Sequence, residues 1–129
     1  MYHNVIEKSE QGQGLTISTE RLESHFKFLK DNNYTTIFLD ELSHLEKLPK
    51  KSVIITFDDV YVNQLEIAVP LLKTYNLKAT FFVPFQYVSG FDDWNSGKEP
   101  IMSLEQLKDL DSNIVELGWH SFAHLNYAQ

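Results

Sequence analysis

Residues 53–57 (V-I-I-T-F) and 79–83 (A-T-F-F-V) are two short runs of apolar, β-branched and aromatic residues, with a helical pattern between them. A continuous apolar run of this length predicts a strand buried on both faces. Strand, helix and strand in succession predict a right-handed crossover and a mostly parallel sheet, hence the α/β class. Residues 35–39 and 114–117 add two strand-like runs, the second ended by Gly118. Between them the helical signals are local and specific. Ser18 can cap a helix that Ile17 staples to Leu22, with Leu22, Phe26 and Leu29 on one face and Asn32-Asn33 as a left-handed stop. Asp40 is expected to cap another helix, with Leu42 and Leu45 inward. A third helix spans about residues 63–75 with Leu65, Val69 and Leu72 apolar, and Pro70 predicts a kink or restart there. Ser103 and Gln106 form a capping box for a helix bearing Leu104, Leu107 and Leu110, with Met102 as staple.

Sites in parallel sheets gather at the carboxyl ends of the strands. Two strings that carry chemistry sit there. T-F-D-D places Asp58 and Asp59 directly after the 53–57 run, and H-S-F-A-H places His120 and His124 just after the 114–117 run. Residues 85–100, with Gly90, Gly97, two aspartates and Trp94, form a long polar loop at that same edge. Loops of this length in compact domains are often functional.

Composition narrows the classes. A chain of 129 residues suits one domain, and a formal net charge of −7 argues against a nucleic-acid partner. No stretch reaches the roughly 18 apolar residues of a membrane span. The N-terminus lacks the pattern of a signal peptide, so a cytoplasmic location is the default expectation. With no cysteine, a metal would be held by His and carboxylate.

Three such ligands with a position left for water make a catalytic site for zinc and similar ions. His120 and His124 are four apart, so one helical turn would set both imidazoles on one face. One carboxylate of the Asp pair completes the set, and the other can act as general base on water made acidic by the ion. The plainer readings stand beside this. H-x-x-x-H recurs by chance, and paired aspartates after a strand commonly cap a helix. His25 and His44 read as surface residues, and the spacing gives His3 no role. Lys47, Lys50 and Lys51 read as a solvated turn, and Phe81, Phe82 and Phe85 as packing. Trp94 is either a sugar-stacking residue or the pin of its loop. A receiver-like signalling domain would need an acidic pair after the first strand and a lysine after the last, and neither is visible.

These strings and their flanks resemble the polysaccharide deacetylases, the NodB-homology domain, over nearly the full chain. T-F-D-D resembles the family's motif T-F-D-D-G, H-S-F-A-H resembles H-[ST]-x-x-H, and Glu116-Leu117-Gly118-Trp119-His120 resembles the run E-I-G-S-H. The resemblance implies the N-terminal part of a distorted (β/α) barrel with a mostly parallel sheet, residues 1–129 being one domain truncated on its C-terminal side. It implies Asp58 as catalytic base and Asp59, His120 and His124 as ligands of a divalent metal, most often Zn2+; Trp94 is the candidate substrate contact from its residue type and its place on the polar loop, not from the resemblance. The implied reaction is the removal of N-acetyl or O-acetyl groups from a carbohydrate polymer or oligosaccharide, with release of acetate. The alternative is a catalytically silent member that binds metal or glycan. Many members of the family act outside the cytoplasm.

Two departures carry weight. The family's glycine after the aspartates is Val60, and a β-branched residue is costly at positive φ, so a turn requiring that conformation would rearrange. The chain stops at Gln129, and the family's later R-x-P-Y and L-x-H motifs have no counterpart in it. Loss of an oxyanion donor costs about two to three orders of magnitude, and loss of a general acid about two to four. An incomplete barrel also leaves open sheet edges. The expectation is therefore a piece of a longer protein, or a chain that forms a homo-oligomer to cover the edge.

Overall fold

The computed structural model describes residues 1–7, 14–125 and 128. Strand pairing among them is parallel throughout the named strands: β1 (Asn4–Ile6) with β2 (Thr16–Ser18), β3 (Thr35–Thr36) with β4 (Ser52–Val53), and a central sheet of β5 (Ile55–Asp58), β6 (Ala79–Val83) and β7 (Val115–Trp119) in that order. Tyr2 bridges to Phe57 on the free side of β5, its N–H donating to the Thr56 carbonyl and its own carbonyl accepting from Asp58 N–H. No closed barrel forms among the described residues. The arrangement is that of an incomplete (β/α) barrel.

Period-two alternation sends Ile55, Phe57, Ala79, Phe81, Val83 and Val115 to one face. There they form one buried cluster with Leu22 and Phe26 of α1 (Thr19–Asp31), Val69 and Leu72 of α2 (Val69–Thr74), and Leu107 of α3 (Leu104–Lys108). The Phe57 and Phe81 rings meet at 4.9 Å. The opposite face carries Thr56, Asp58, Thr80, Phe82 and Glu116. Residues 53–57 are thus not one strand buried on both faces: the run splits at Ile54, and within β5 burial alternates. Helices cover only one side, so polar groups on the other bond to one another. Thr80 Oγ1 donates to Glu116 at 2.6 Å, and Glu116 also accepts the Leu39 and Asp40 N–H groups at 3.1 and 3.2 Å.

Helix ends follow the local signals. Ser18 Oγ accepts the Arg21 N–H at 3.3 Å. At the far end Asn33 adopts φ 58°, and the N–H groups of Asn33 and Tyr34 return to the Lys30 and Leu29 carbonyls at 3.1 and 2.9 Å, a Schellman stop. Asn76 repeats the device after α2, with φ 51° and N–H groups of Asn76 and Leu77 bonded to Lys73 and Leu72. Pro70 does interrupt its helix. A π turn over Gln64–Ala68 precedes α2, the Val69 N–H reaching back five residues to the Gln64 carbonyl. Ser103 and Gln106 form the capping box in both directions.

Three local expectations fail. The strand at 35–39 is only Thr35–Thr36, because β4, its partner, is equally short and the Ile37 N–H makes a last bond to Val53. The helix capped by Asp40 is a 3-10 turn, Asp40–Ser43, with no side-chain cap and with Leu42 and Leu45 exposed; Glu41 instead accepts the Phe38 N–H at 2.5 Å. Gly118 does not end β7. It pairs with Phe82 within the strand, where an added Cβ would lie 2.8 Å from the Phe82 ring. Glycine marks a close approach there.

Candidate metal centre and active site

Both sequence strings hang from β6. The Asp59 N–H donates to the Phe82 carbonyl at 3.0 Å, and the His120 N–H donates to the Val83 carbonyl at 3.0 Å. Successive carbonyls of one strand therefore anchor two side chains about 60 positions apart in sequence. Asp59 and Val60 both adopt left-handed backbone, φ 75° and 46°. The turn has not rearranged to suit Val60; the valine takes the strained conformation. Its side chain is fully buried in the core, and this decides the balance. Left-handed backbone costs about 1–2 kcal/mol, whereas burial of a valine side chain is worth about 1.5–3 kcal/mol. Val60→Gly is accordingly expected to lower stability by about 0.5–1 kcal/mol in urea unfolding despite relieving the backbone. A more stable variant would show that the strain outweighs the burial.

Asp59 Oδ1 lies 3.2 Å from His120 Nε2 and 3.2 Å from His124 Nε2. The three donor atoms fall within 4.8 Å of one another. The Asp59 side chain is 3% exposed, and among the described residues its Oδ1 has no hydrogen-bond partner. Burial pushes the Asp59 carboxyl up from its ordinary range, while His120, His124 and His3 pull it down less strongly. An orphaned buried oxygen flanked by two imidazole nitrogens is the geometry a small cation completes. Tetrahedral zinc with bonds of about 2.0–2.2 Å sets its donors about 3.3–3.6 Å apart, and the Asp–His spacings of 3.2 Å lie close to that range.

The two histidines do not share a helical turn. The segment after β7 is irregular, with Ser121 and His124 at φ 55° and 51°. Ser121 Oγ takes the His124 N–H at 3.0 Å, a local side-chain bond that competes with helix formation. The imidazoles nevertheless converge, their centroids 4.7 Å apart.

Asp58 closes β5 beside this group, its Oδ2 3.8 Å from His120 Nε2. A third imidazole, which spacing alone gave no role, completes the surroundings: His3 Nε2 lies 3.4 Å from the same oxygen. Gln64 is the other residue the sequence did not single out. It is fully buried, and its Nε2 donates to the carbonyls of both His3 and Asp58 at 2.8 and 2.6 Å. The available signal was Tyr2-His3 flanking a strand-like start, but its meaning depends on the Tyr2–Phe57 bridge.

Trp94 lies with His3, Asp59, Tyr61 and His124 around a cavity of about 400 Å3. Its loop is organised by Asp92, fully buried, whose carboxylate accepts from Asn95 Nδ2, Ser96 Oγ and the N–H groups of Ser96, Lys98 and Glu99. Burial pushes the Asp92 carboxyl up, but these hydrogen bonds outweigh it and hold the group below the usual range. A depressed carboxyl stabilises the fold above its unfolded pKa of about 3.9, and that contribution is lost as pH falls through the lower folded value. Asp92→Asn is expected to cost about 1.5–3 kcal/mol at neutral pH, the scale of hydrogen bonds to a charged group. The gap to the wild type should narrow below about pH 4; a pH-independent gap in urea titrations would contradict the assignment.

A profile of the polysaccharide deacetylase family matches residues 46–129. The Bacillus subtilis protein YxkH is 31% identical over 129 residues, which cover 97% of this chain and 42% of that protein. The poly-beta-1,6-N-acetyl-D-glucosamine N-deacetylase of Staphylococcus aureus (strain MSSA476) is 30% identical over 105 residues, covering 79% of this chain and 35% of its own length. Among solved structures, the Streptococcus pyogenes deacetylase PplD in complex with acetate superposes with a TM-score of 0.75 at 25% identity, over 96% of this chain and 55% of that one. The chain spans less than half the length of these curated relatives. With the Asp pair and the two histidines meeting at the end of one parallel sheet, and the matched region containing all four, the chain belongs to the polysaccharide deacetylase family.

Proposed function

We propose that this chain carries the metal-binding part of an active site that hydrolyses N-acetyl or O-acetyl groups on a carbohydrate, releasing acetate. The observation that carries this reading is the convergence of Asp59 Oδ1 with the Nε2 atoms of His120 and His124, with Asp58 alongside. Asp59, His120 and His124 would hold the ion, most often Zn2+ for this donor set. A divalent cation supplies Lewis-acid polarisation of an acyl oxygen and acidifies water. Asp58 accepts the proton that the attacking water loses, as general base. His3, at ion-pair distance from Asp58, orients that carboxylate and can return a proton to the departing amine or alcohol. Gln64 holds the backbone of both residues in place. The names of the relatives support an acetylated carbohydrate as substrate, since the S. aureus protein is an N-acetylglucosamine-polymer deacetylase and PplD was solved with acetate.

A second reading, a member that binds metal or glycan without turnover, has its own observation. The residue after the Asp pair is Val60, held at φ 46° where the family's motif carries glycine, so the turn that sets the two aspartates is strained. Metal analysis combined with amine release from an acetylated glucosamine oligomer separates the two. Stoichiometric Zn2+ that is lost in His120→Ala and His124→Ala, together with amine release, supports the first. Zn2+ without amine supports the second. Unchanged metal content in both variants would remove the proposed site altogether.

A further inference from the structure

We infer that Trp94 is a positioning residue for His124, with its indole serving in place of the usual hydrogen-bond partner of a metal-bound imidazole. The inference rests on the reading of Asp59, His120 and His124 as a metal site. Metal-binding histidines are ordinarily oriented by donating their second ring N–H to a carboxylate or carbonyl. Among the described residues the His124 ring has no such hydrogen bond; its polar contact is the one from Nε2 to Asp59. What lies against the ring is Trp94, stacked at 4.4 Å between centroids and only 13° from parallel. The need for it is physical. His120 follows β7 directly and is tied to β6, whereas His124 sits on irregular backbone between the exposed side chains of Phe122 and Leu125. Without a fixed neighbour, rotation about its side-chain torsions would carry Nε2 away from Asp59.

Trp94 is itself held firmly enough to act this way. Tyr87 packs against it at 4.6 Å and 63°, and Tyr61 lies at 6.5 Å. The same loop grips the backbone of the histidine segment: Tyr87 Oη donates to the Ala123 carbonyl at 3.3 Å, and the Gln86 N–H donates to the Phe122 carbonyl at 2.9 Å. Asp92 fixes the loop through its bonds to residues 95–99. The geometry therefore gives one indole face to the ligand histidine, a use different from stacking on a sugar ring.

Calorimetric titration of Zn2+ into the full 129-residue chain tests this. Trp94→Leu is expected to bind Zn2+ about 10–100-fold more weakly than wild type, the usual effect of losing a ligand-orienting partner. Trp94→Phe, which keeps an aromatic face, is expected to recover most of the affinity, a rescue that a purely structural role would not produce. Equal affinity in wild type and Trp94→Leu overturns the inference, as does equal weakening in Trp94→Leu and Trp94→Phe. Wild type that takes up no Zn2+ overturns the metal reading instead, which keeps the two failures apart. A second measurement leaves Trp94 in place. Trp119→Phe makes Trp94 the sole tryptophan, and Co2+ is expected to quench its fluorescence with the midpoint seen by calorimetry. Unquenched fluorescence at saturating Co2+ overturns the inference even if Trp94→Leu fails to fold.

Discussion

Asp58→Asn is expected to lower amine release from an acetylated glucosamine oligomer by about two to four orders of magnitude, the contribution of a positioned general base. The substitution preserves shape while removing the negative charge and with it the ability to take a proton. Asp58 lies next to the group of three without belonging to it: its Oδ2 is 3.8 Å from His120 Nε2, against 3.2 Å from Asp59 Oδ1 to the Nε2 atoms of His120 and His124. Zn2+ content is therefore expected to stay at the wild-type level, measured by metal analysis on the same samples used for amine release. Asp59→Asn should behave in the opposite order, losing metal first. Turnover that survives Asp58→Asn within tenfold would assign the base elsewhere, with His3 next in line by distance.

Phe81→Ala is expected to be the most damaging substitution in the core, costing about 3–5 kcal/mol. Phe81 is fully buried at the centre of the middle strand, in register with Phe57 on one side and Leu117 on the other. A loss of that size is a large part of the roughly 5–15 kcal/mol that keeps a domain folded. It should also reach the site, because the carbonyls of Phe82 and Val83, the next two residues, hold Asp59 and His120. Urea unfolding followed by circular dichroism gives the loss directly, and Zn2+ titration of the same variant shows whether it spreads to the triad. A loss below about 1.5 kcal/mol would mean that the surrounding side chains close over the void.

Features that depend on a few neighbouring residues were legible from the chain alone. The caps at Ser18 and Ser103, the left-handed stop at Asn33 and the restart at Pro70 all involve contacts within about one helical turn. Strand 79–83 was equally legible, since apolar residues on both sides need no knowledge of partners. Misreadings fell where the outcome depends on a distant neighbour. Residues 35–39 carry strand-forming residues, but only two pair in a strand because β4 offers no more edge. Leu42 and Leu45 keep apolar spacing, yet both remain exposed rather than joining the core. The His120 and His124 spacing pointed to a helix, and Ser121 with two left-handed residues replaced it.

The identities and order of the candidate groups, Asp58, Asp59, His120 and His124, were set along the chain, together with the strand ends that bring them to one edge of a parallel sheet. These are local facts: an apolar run, the residues that follow it, and a crossover of fixed hand. Convergence to 3.2 Å is different in kind. It required β6 to offer its Phe82 and Val83 carbonyls to two segments far apart in sequence. The same holds for His3, brought to Asp58 by the Tyr2 bridge to β5 and the buried amide of Gln64, and for Trp94, laid on His124 by a loop folded around Asp92. Chain periodicity reports which face a side chain takes. Which partner waits on that face depends on long-range packing, and that packing brought Asp58, Asp59, His120 and His124 within reach of one another.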